Sequence, residues 1–373
     1  MRCSKWSEKV KKISGLFVAL CVICNGCGGP SEQADVPSFT LAYSEYPSWS
    51  VFGVADKLGY INKDQGKLGP IEEKYGVDIV LNLSDYDTCI NLYGNGTADA
   101  ACLTNMDSLA PALTRDTVAF LPTSTSNGAD ALIVLEDTTL DDLKNMPTYG
   151  LERSVSQYCF ERNLELQGKN PTEYKFSNMD PAAAAQAFQT GQAEIESIIV
   201  WNPFVLQTLR TRDKSKVLFD SSTIPAEIID MVVIGKDSLQ KPGGEAFVQA
   251  VLETYYSVNE QIDNPSTRDA TLVALGEDFS NLGLEDMKVV VEQTKFYNFP
   301  DKAINLFDNH DFQDVTMPMV VEFCVTHGII DSKPSIGFNN PDSQMNFTNE
   351  YIKAWLPTHK PSNLPFNRIE LAP

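Results

Sequence analysis

Between residues 38 and 235, short apolar runs alternate with stretches of helical period. SFTLAY at 38–43, DIVLNL at 78–83, ADAACL at 98–103, 117–121, ALIVL at 131–135, 147–151, 174–178, IESIIV at 195–200, 216–220 and IDMVVI at 229–234 predict strands. Helical patterns fall between most of them, at 49–58, 67–75, 85–93, 106–113, 154–167, 180–190 and 202–210. Such alternation predicts parallel sheets built from βαβ units. Beyond about 235 the pattern changes to helices at 243–262, 265–275, 284–293, 299–306 and 313–327, then a Pro- and Asn-rich tail with few strand signals. Two βα clusters and a helical remainder predict a bilobed α/β protein, with 38–129 plus 232–373 as one lobe and 130–231 as the other. A small ligand would sit in the cleft between them.

The first residues belong to a different regime. Arg2, Lys5, Lys9, Lys11 and Lys12 precede the apolar stretch Ile13–Ile23, which reads as a secretory signal over 1–26. Gly26-Cys27 resembles a bacterial lipidation junction, so Cys27 is the expected lipid-bearing N-terminus and 27–37 a flexible tether. That places the folded body in the cell envelope, on the periplasmic or extracellular face. The whole chain carries a net charge of −21, and removing the +4 leader leaves −25. So acidic a surface argues against nucleic acid and anionic lipid as partners. Cys89, Cys102, Cys159 and Cys324 show no CxxC spacing and read as buried small hydrophobes before a disulfide. With His310, His327 and His359 far apart near the end, neither a metal centre nor Ser/His/Asp catalysis is expected, and no cofactor is.

Six short segments at predicted strand ends carry the unusual chemistry: 44–49 (SEYPSW), 104–107 (TNMD), 126–130 (SNGAD), 152–156 (ERSVS), 201–203 (WNP) and 227–230 (EIID). Ligands of open α/β sheets bind outside the carboxyl ends of strands, so these tips predict one shared pocket. The candidate ligand-binding residues are Tyr46, Trp49, Asn105, Asp107, Asn127, Asp130, Glu152, Ser154, Trp201, Asn202, Glu227 and Asp230, and Arg153 is the one basic side chain among the segments. Some have simpler readings: Asp107, Asp130 and Asn105 as turn or helix-cap residues, Trp201 as core, and Glu72-Glu73 as a solvated helix face.

An acidic and aromatic pocket suits a small cation. Guanidinium is planar, has N–H donors around its edge and no acceptor, and calls for in-plane carboxylates with an aromatic face above. Glu227 and Asp230, three apart, are the expected pair. Urea needs a donor for its oxygen, which Tyr46, Ser154, Asn105, Asn127 or Asn202 supplies. An anion such as nitrate or a sulfonate would meet like charge.

The same segments, with Asp85-Tyr86, Ile90-Asn91, Ser154-Val155-Ser156-Gln157-Tyr158 and Pro225-Ala226-Glu227-Ile228-Ile229-Asp230, resemble solute-binding proteins of nitrate/sulfonate/bicarbonate-type ABC importers, and most the branch encoded beside urea carboxylases. The resemblance runs from about residue 38 to 350. It implies a type 2 periplasmic binding protein, monomeric and not an enzyme, that delivers guanidine or urea to a membrane permease.

Overall fold

In the computed structural model, which describes residues 36–192, 195–359 and 364, β1 (Ser38–Tyr43) pairs in parallel with β2 (Asp78–Leu83) and β3 (Ala100–Thr104). The leader 1–26, Cys27 and the tether up to residue 35 lie outside the described residues. The chain then runs through β4 (Thr117–Thr125), β5 (Asp130–Leu135), β6 (Pro147–Gly150), β7 (Lys175–Asn178), β8 (Ser197–Trp201), β9 (Ser215–Asp220) and β10 (Ile229–Gly235). Two short strands follow, β11 (Ile336–Phe338) and β12 (Met345–Phe347). They make a seven-stranded sheet in the order β11-β12-β4-β10-β3-β1-β2 and a five-stranded sheet in the order β7-β6-β8-β5-β9. Residues from Val36 onward form one compact unit.

The predicted βα alternation is present, but the sheets are mixed rather than parallel. β10 is antiparallel to both β3 and β4, and β5 is antiparallel to both β8 and β9. The cause is the route of the chain. β4 leaves the first sheet and feeds β5 through residues 126–129, and β9 returns to β10 through 221–228, so each arriving strand enters its sheet from the end that faces the other sheet. Gly128, with φ 94°, takes the left-handed turn in the first crossover. The tail strands escaped the sequence pattern because three residues are too few for a period-2 signal. Phe338 and Phe347 stack there at 5.2 Å.

Helices cover the sheets. Gly244–Asp263 is buried along most of its length and packs on the helices Val51–Lys57, Pro70–Tyr75 and Glu350–Trp355. Glu72, expected on a solvated helix face, is instead fully buried: its carboxylate accepts N–H bonds from Asn62 (2.7 Å), Gly69 (2.6 Å) and Ile79 (2.7 Å). The acid at the third position of the helix folds back over its own N-terminus and ties the helix to β2. The four body cysteines are buried free thiols. Among the described residues no helix is long and apolar enough to cross a membrane.

Candidate functional site

Strand register assembles the site. Antiparallel pairing sets Asp230, at the start of β10, opposite Thr104 at the end of β3 and opposite Ser124 of β4. In the other sheet, Asp130 at the start of β5 stands opposite Trp201 at the end of β8. Both acids therefore lie at the carboxyl ends of parallel strands, where α/β sheets bind ligands.

Tyr46, Trp49, Tyr86, Thr104, Asp130, Val155, Trp201 and Asp230 line one cavity of about 10 Å³. A space of that size holds about one water-sized group, so a solute of several heavy atoms enters only when the lining residues move apart. Its aromatic walls are mutually packed. Trp49 stacks on Tyr86 with centroids 5.4 Å apart, Tyr46 tilts against Trp49 at 4.9 Å, and Trp201 meets Tyr86 edge-on at 5.3 Å. All four rings are nearly inaccessible to solvent.

Three carboxylates of this region are buried to 3 % exposure or less: Asp107, Asp130 and Asp230. Asp230 Oδ2 lies 2.5 Å from Ser124 Oγ, which is 2.8 Å from Ser48 Oγ. Asp130 Oδ2 lies 2.5 Å from Ser126 Oγ, which is 2.7 Å from Ser221 Oγ. Asp107 Oδ2 accepts from the Tyr86 hydroxyl (2.7 Å), Thr104 Oγ1 (2.8 Å) and the Val155 N–H (3.3 Å) at the head of the helix Val155–Leu166. Every identified partner is thus a hydroxyl or a peptide N–H. Among the described residues none of the three acids is in an ion pair with a base.

That isolation sets their electrostatics. Burial pushes the Asp107 carboxyl up to about 6 against the hydrogen bonds that favour its charge, and burial with the neighbouring Asp107 and Asp220 pushes Asp130 up to about 7. Burial, then Asp130 and Asp107, drive Asp230 well above the carboxylate range. Burial with the same acids, Asp230 and Asp130, raises the Tyr46 phenol, so it stays neutral. Trp49 Nε1 and Asp107 Oδ1 are buried without a hydrogen-bond partner in the protein, while the Tyr46 hydroxyl reaches toward Asp230.

Of the residues expected from sequence, Tyr46, Trp49, Asp130, Trp201 and Asp230 meet at the cavity, with Asp107 held behind Tyr86 and Thr104. The others stand elsewhere. Glu227 is engaged by Arg162 (Nε to Oε2 3.0 Å, Nη2 to Oε1 3.1 Å) and by the Tyr158 hydroxyl (2.6 Å), so its charge is already neutralised. Asn105 clamps the returning crossover, donating to the Glu227 carbonyl and accepting from the Ile229 N–H, each at 3.0 Å. Asn202 donates to Gln293 Oε1 at 2.7 Å, and the backbone N–H of half-buried Asn127 donates to the Gln293 carbonyl. Ser154 caps the helix Val155–Leu166, and Glu152 is exposed. Arg153, at φ 56°, points to solvent and pairs with Asp331 at 2.8 Å. Tyr86, Thr104 and Val155 are cavity residues outside the expected set. The signal for Tyr86 was an aromatic directly after the helix-capping Asp85, at the mouth of a helix that follows a strand.

No family model matches the chain, and no curated protein matches it by sequence. Solved structures do. The chain is similar to the periplasmic aliphatic sulphonate binding protein SsuA from Escherichia coli at 17% identity, covering 79% of this chain and 89% of that one with a TM-score of 0.60. The alkanesulfonate-binding protein SsuA from Xanthomonas axonopodis pv. citri bound to MOPS aligns at 15% identity over 80% and 95% with a TM-score of 0.61. The periplasmic nitrate-binding protein NrtA from Synechocystis PCC 6803 aligns at 12% over 79% and 86% with a TM-score of 0.52. At these identities the likeness speaks to fold. With two mixed sheets joined by two crossovers and a cavity at their strand ends, the chain has the bilobed α/β fold of periplasmic binding proteins.

Proposed function

We propose that the protein is the extracytoplasmic solute receptor of an ABC importer, and that it captures a small cation, guanidinium above all, for a membrane permease. The observation that carries this is a set of three buried acids with no ion-paired base: Asp130 and Asp230 in the wall of one aromatic cavity and Asp107 directly behind it. A cation offering N–H donors on several edges answers Asp130 and Asp230 directly, adds a charge near Asp107, and lays its face on an indole or phenol ring. Nitrate or a sulfonate, the ligands named for the structural relatives, would instead be buried among like charges.

Urea is the second reading, favoured by one feature. The unpartnered Trp49 Nε1 is a donor that a urea oxygen accepts and guanidinium does not. Catalysis has no support at the cavity: His327 sits between Glu161 and Glu165, His359 between Glu253 and Glu260, and His310 beside Asp314. We further propose a lipid anchor on Cys27. Mass spectrometry of the mature N-terminus checks it, and processing at any other residue refutes it.

A thermal-shift panel at pH 8 with millimolar guanidinium, urea, nitrate and ethanesulfonate tests the solute. Guanidinium at about a hundred times its Kd should stabilise the fold by roughly 2.7 kcal/mol. Stabilisation by an anion alone would reverse the assignment.

A further inference from the structure

We infer that the cavity binds its cation by exchange: guanidinium displaces a proton held among Asp107, Asp130 and Asp230, so affinity falls as the envelope acidifies. The inference rests on the cation reading of the site and adds how that site is controlled.

The argument begins with charge. Asp107, Asp130 and Asp230 are each at most 3 % exposed; Asp130 feels Asp107, and Asp230 feels both others. Asp220 adds a further negative neighbour to Asp130, and the Cys159 thiol beside it is kept neutral by burial. On the other side, Asp230 faces the neutral phenols of Tyr46, Tyr255 and Tyr297. The cation within the adjoining helix, Arg162, is consumed by Glu227. Three unneutralised charges so close in a water-poor site are not sustainable, and the ordinary resolution is protonation.

The hydrogen bonds accommodate the acids with or without a proton. The 2.5 Å separations Ser124–Asp230 and Ser126–Asp130 are at the short end for a hydroxyl and a carboxyl group. Each serine also touches a second hydroxyl, Ser48 or Ser221, so its single proton can turn either way as the acid gains or loses its own. The cavity thus keeps its hydrogen bonds in either protonation state.

When guanidinium enters, its N–H groups donate to the carboxyl oxygens. One carboxyl O–H bond breaks and the proton leaves to buffer, so the charge of the site is unchanged: one cation in, one proton out. Guanidinium itself stays charged at every pH in use. A neutral solute such as urea has no charge to exchange and releases no proton. The direction of the shifts fits this scheme, since Asp107 at about 6 and Asp130 at about 7 titrate in the range where an envelope protein works.

Calorimetric titration of guanidinium into the protein, repeated at pH 7 in buffers of different ionisation enthalpy, reads the protons released directly. The expected result is about half a proton per guanidinium at pH 7, rising toward one at pH 6 and falling to about a tenth at pH 8, with affinity about tenfold lower at pH 6 than at pH 8 for one group titrating near 7. Asp130→Asn should bind more weakly and release correspondingly less. Tight guanidinium binding with the same enthalpy in every buffer overturns the exchange and leaves the cation reading intact. No guanidinium binding between pH 6 and 9 overturns both.

Discussion

Asp130 and Asp230 reach one cavity from different sheets, and their partners Ser126 and Ser124 are two residues apart at the point where β4 leaves the first sheet. The pair therefore joins ligand contact to the crossover itself. Each acid is held by a hydroxyl, not by a base, so its charge burdens the ligand-free protein. Asp130→Asn and Asp230→Asn are expected to weaken guanidinium binding by about 2–5 kcal/mol. At pH 8 Asp130→Asn should leave the ligand-free protein melting no lower than the parent, because a buried unpaired charge is removed. Lower melting with unchanged affinity would mark these acids as structural only.

The same burial predicts a pH profile for the ligand-free protein. Asp107 and Asp130 have folded-state values of about 6 and about 7, above the ordinary 3.8. An acid raised on folding contributes fully at pH below its unfolded value, and that contribution is lost as pH rises through the folded one. Melting temperature should therefore fall between about pH 5 and pH 8, each tenfold difference in proton affinity between folded and unfolded chain being worth about 1.4 kcal/mol. The fall should shrink in Asp107→Asn/Asp130→Asn, and saturating guanidinium should offset it. An equal fall in parent and double variant would assign it to other groups.

Glu227 is expected to behave oppositely. Its carboxylate joins Arg162 and Tyr158, away from the cavity, at the root of the crossover that Asn105 clamps. Glu227→Gln strands a partly buried guanidinium group on Arg162, whose side chain is 20% exposed. It should destabilise the fold by about 1–3 kcal/mol while guanidinium affinity changes less than about threefold. Chemical denaturation with urea beside a binding titration separates the two effects. A large loss of affinity without loss of stability would return Glu227 to the ligand.

These acids show what the chain discloses and what it hides. The strands were legible because buried β-segments such as IESIIV and IDMVVI keep their apolar character whatever their neighbours do. The antiparallel entry of β5 and β10 was not, because direction is set by which sheet the chain comes from. The tips of β1, β3, β5, β8 and β10 converge as the strand-end argument expects, bringing Tyr46, Trp49, Asp130, Trp201 and Asp230 together. Glu227 misled because its three-residue spacing from Asp230 suggested a shared face. The intervening chain is an irregular crossover, entered at Ala226 with φ 62°, and a partner 65 residues away claims the carboxylate. Glu72 hid for a local reason, since its role as a cap depends on the chain folding back over Gly69.

Trp201 tests the aromatic wall. It lies 4% exposed, with its ring edge against Tyr86, at the end of the strand that pairs with Asp130. Trp201→Ala should cost about 3–5 kcal/mol of stability through the cavity it leaves. It should also weaken cation binding by about 1–2 kcal/mol. Trp201→Phe should restore most of both. If Trp201→Phe binds no better than Trp201→Ala at equal stability, the indole is not a cation face.

The cation assignment is tested most directly by equilibrium titration of the protein with guanidinium and with urea, side by side at pH 8, where the acids are most fully ionised. Guanidinium is expected to bind saturably and one to one, at least a hundredfold tighter than urea. Urea binding as tightly as guanidinium, or more so, would contradict it.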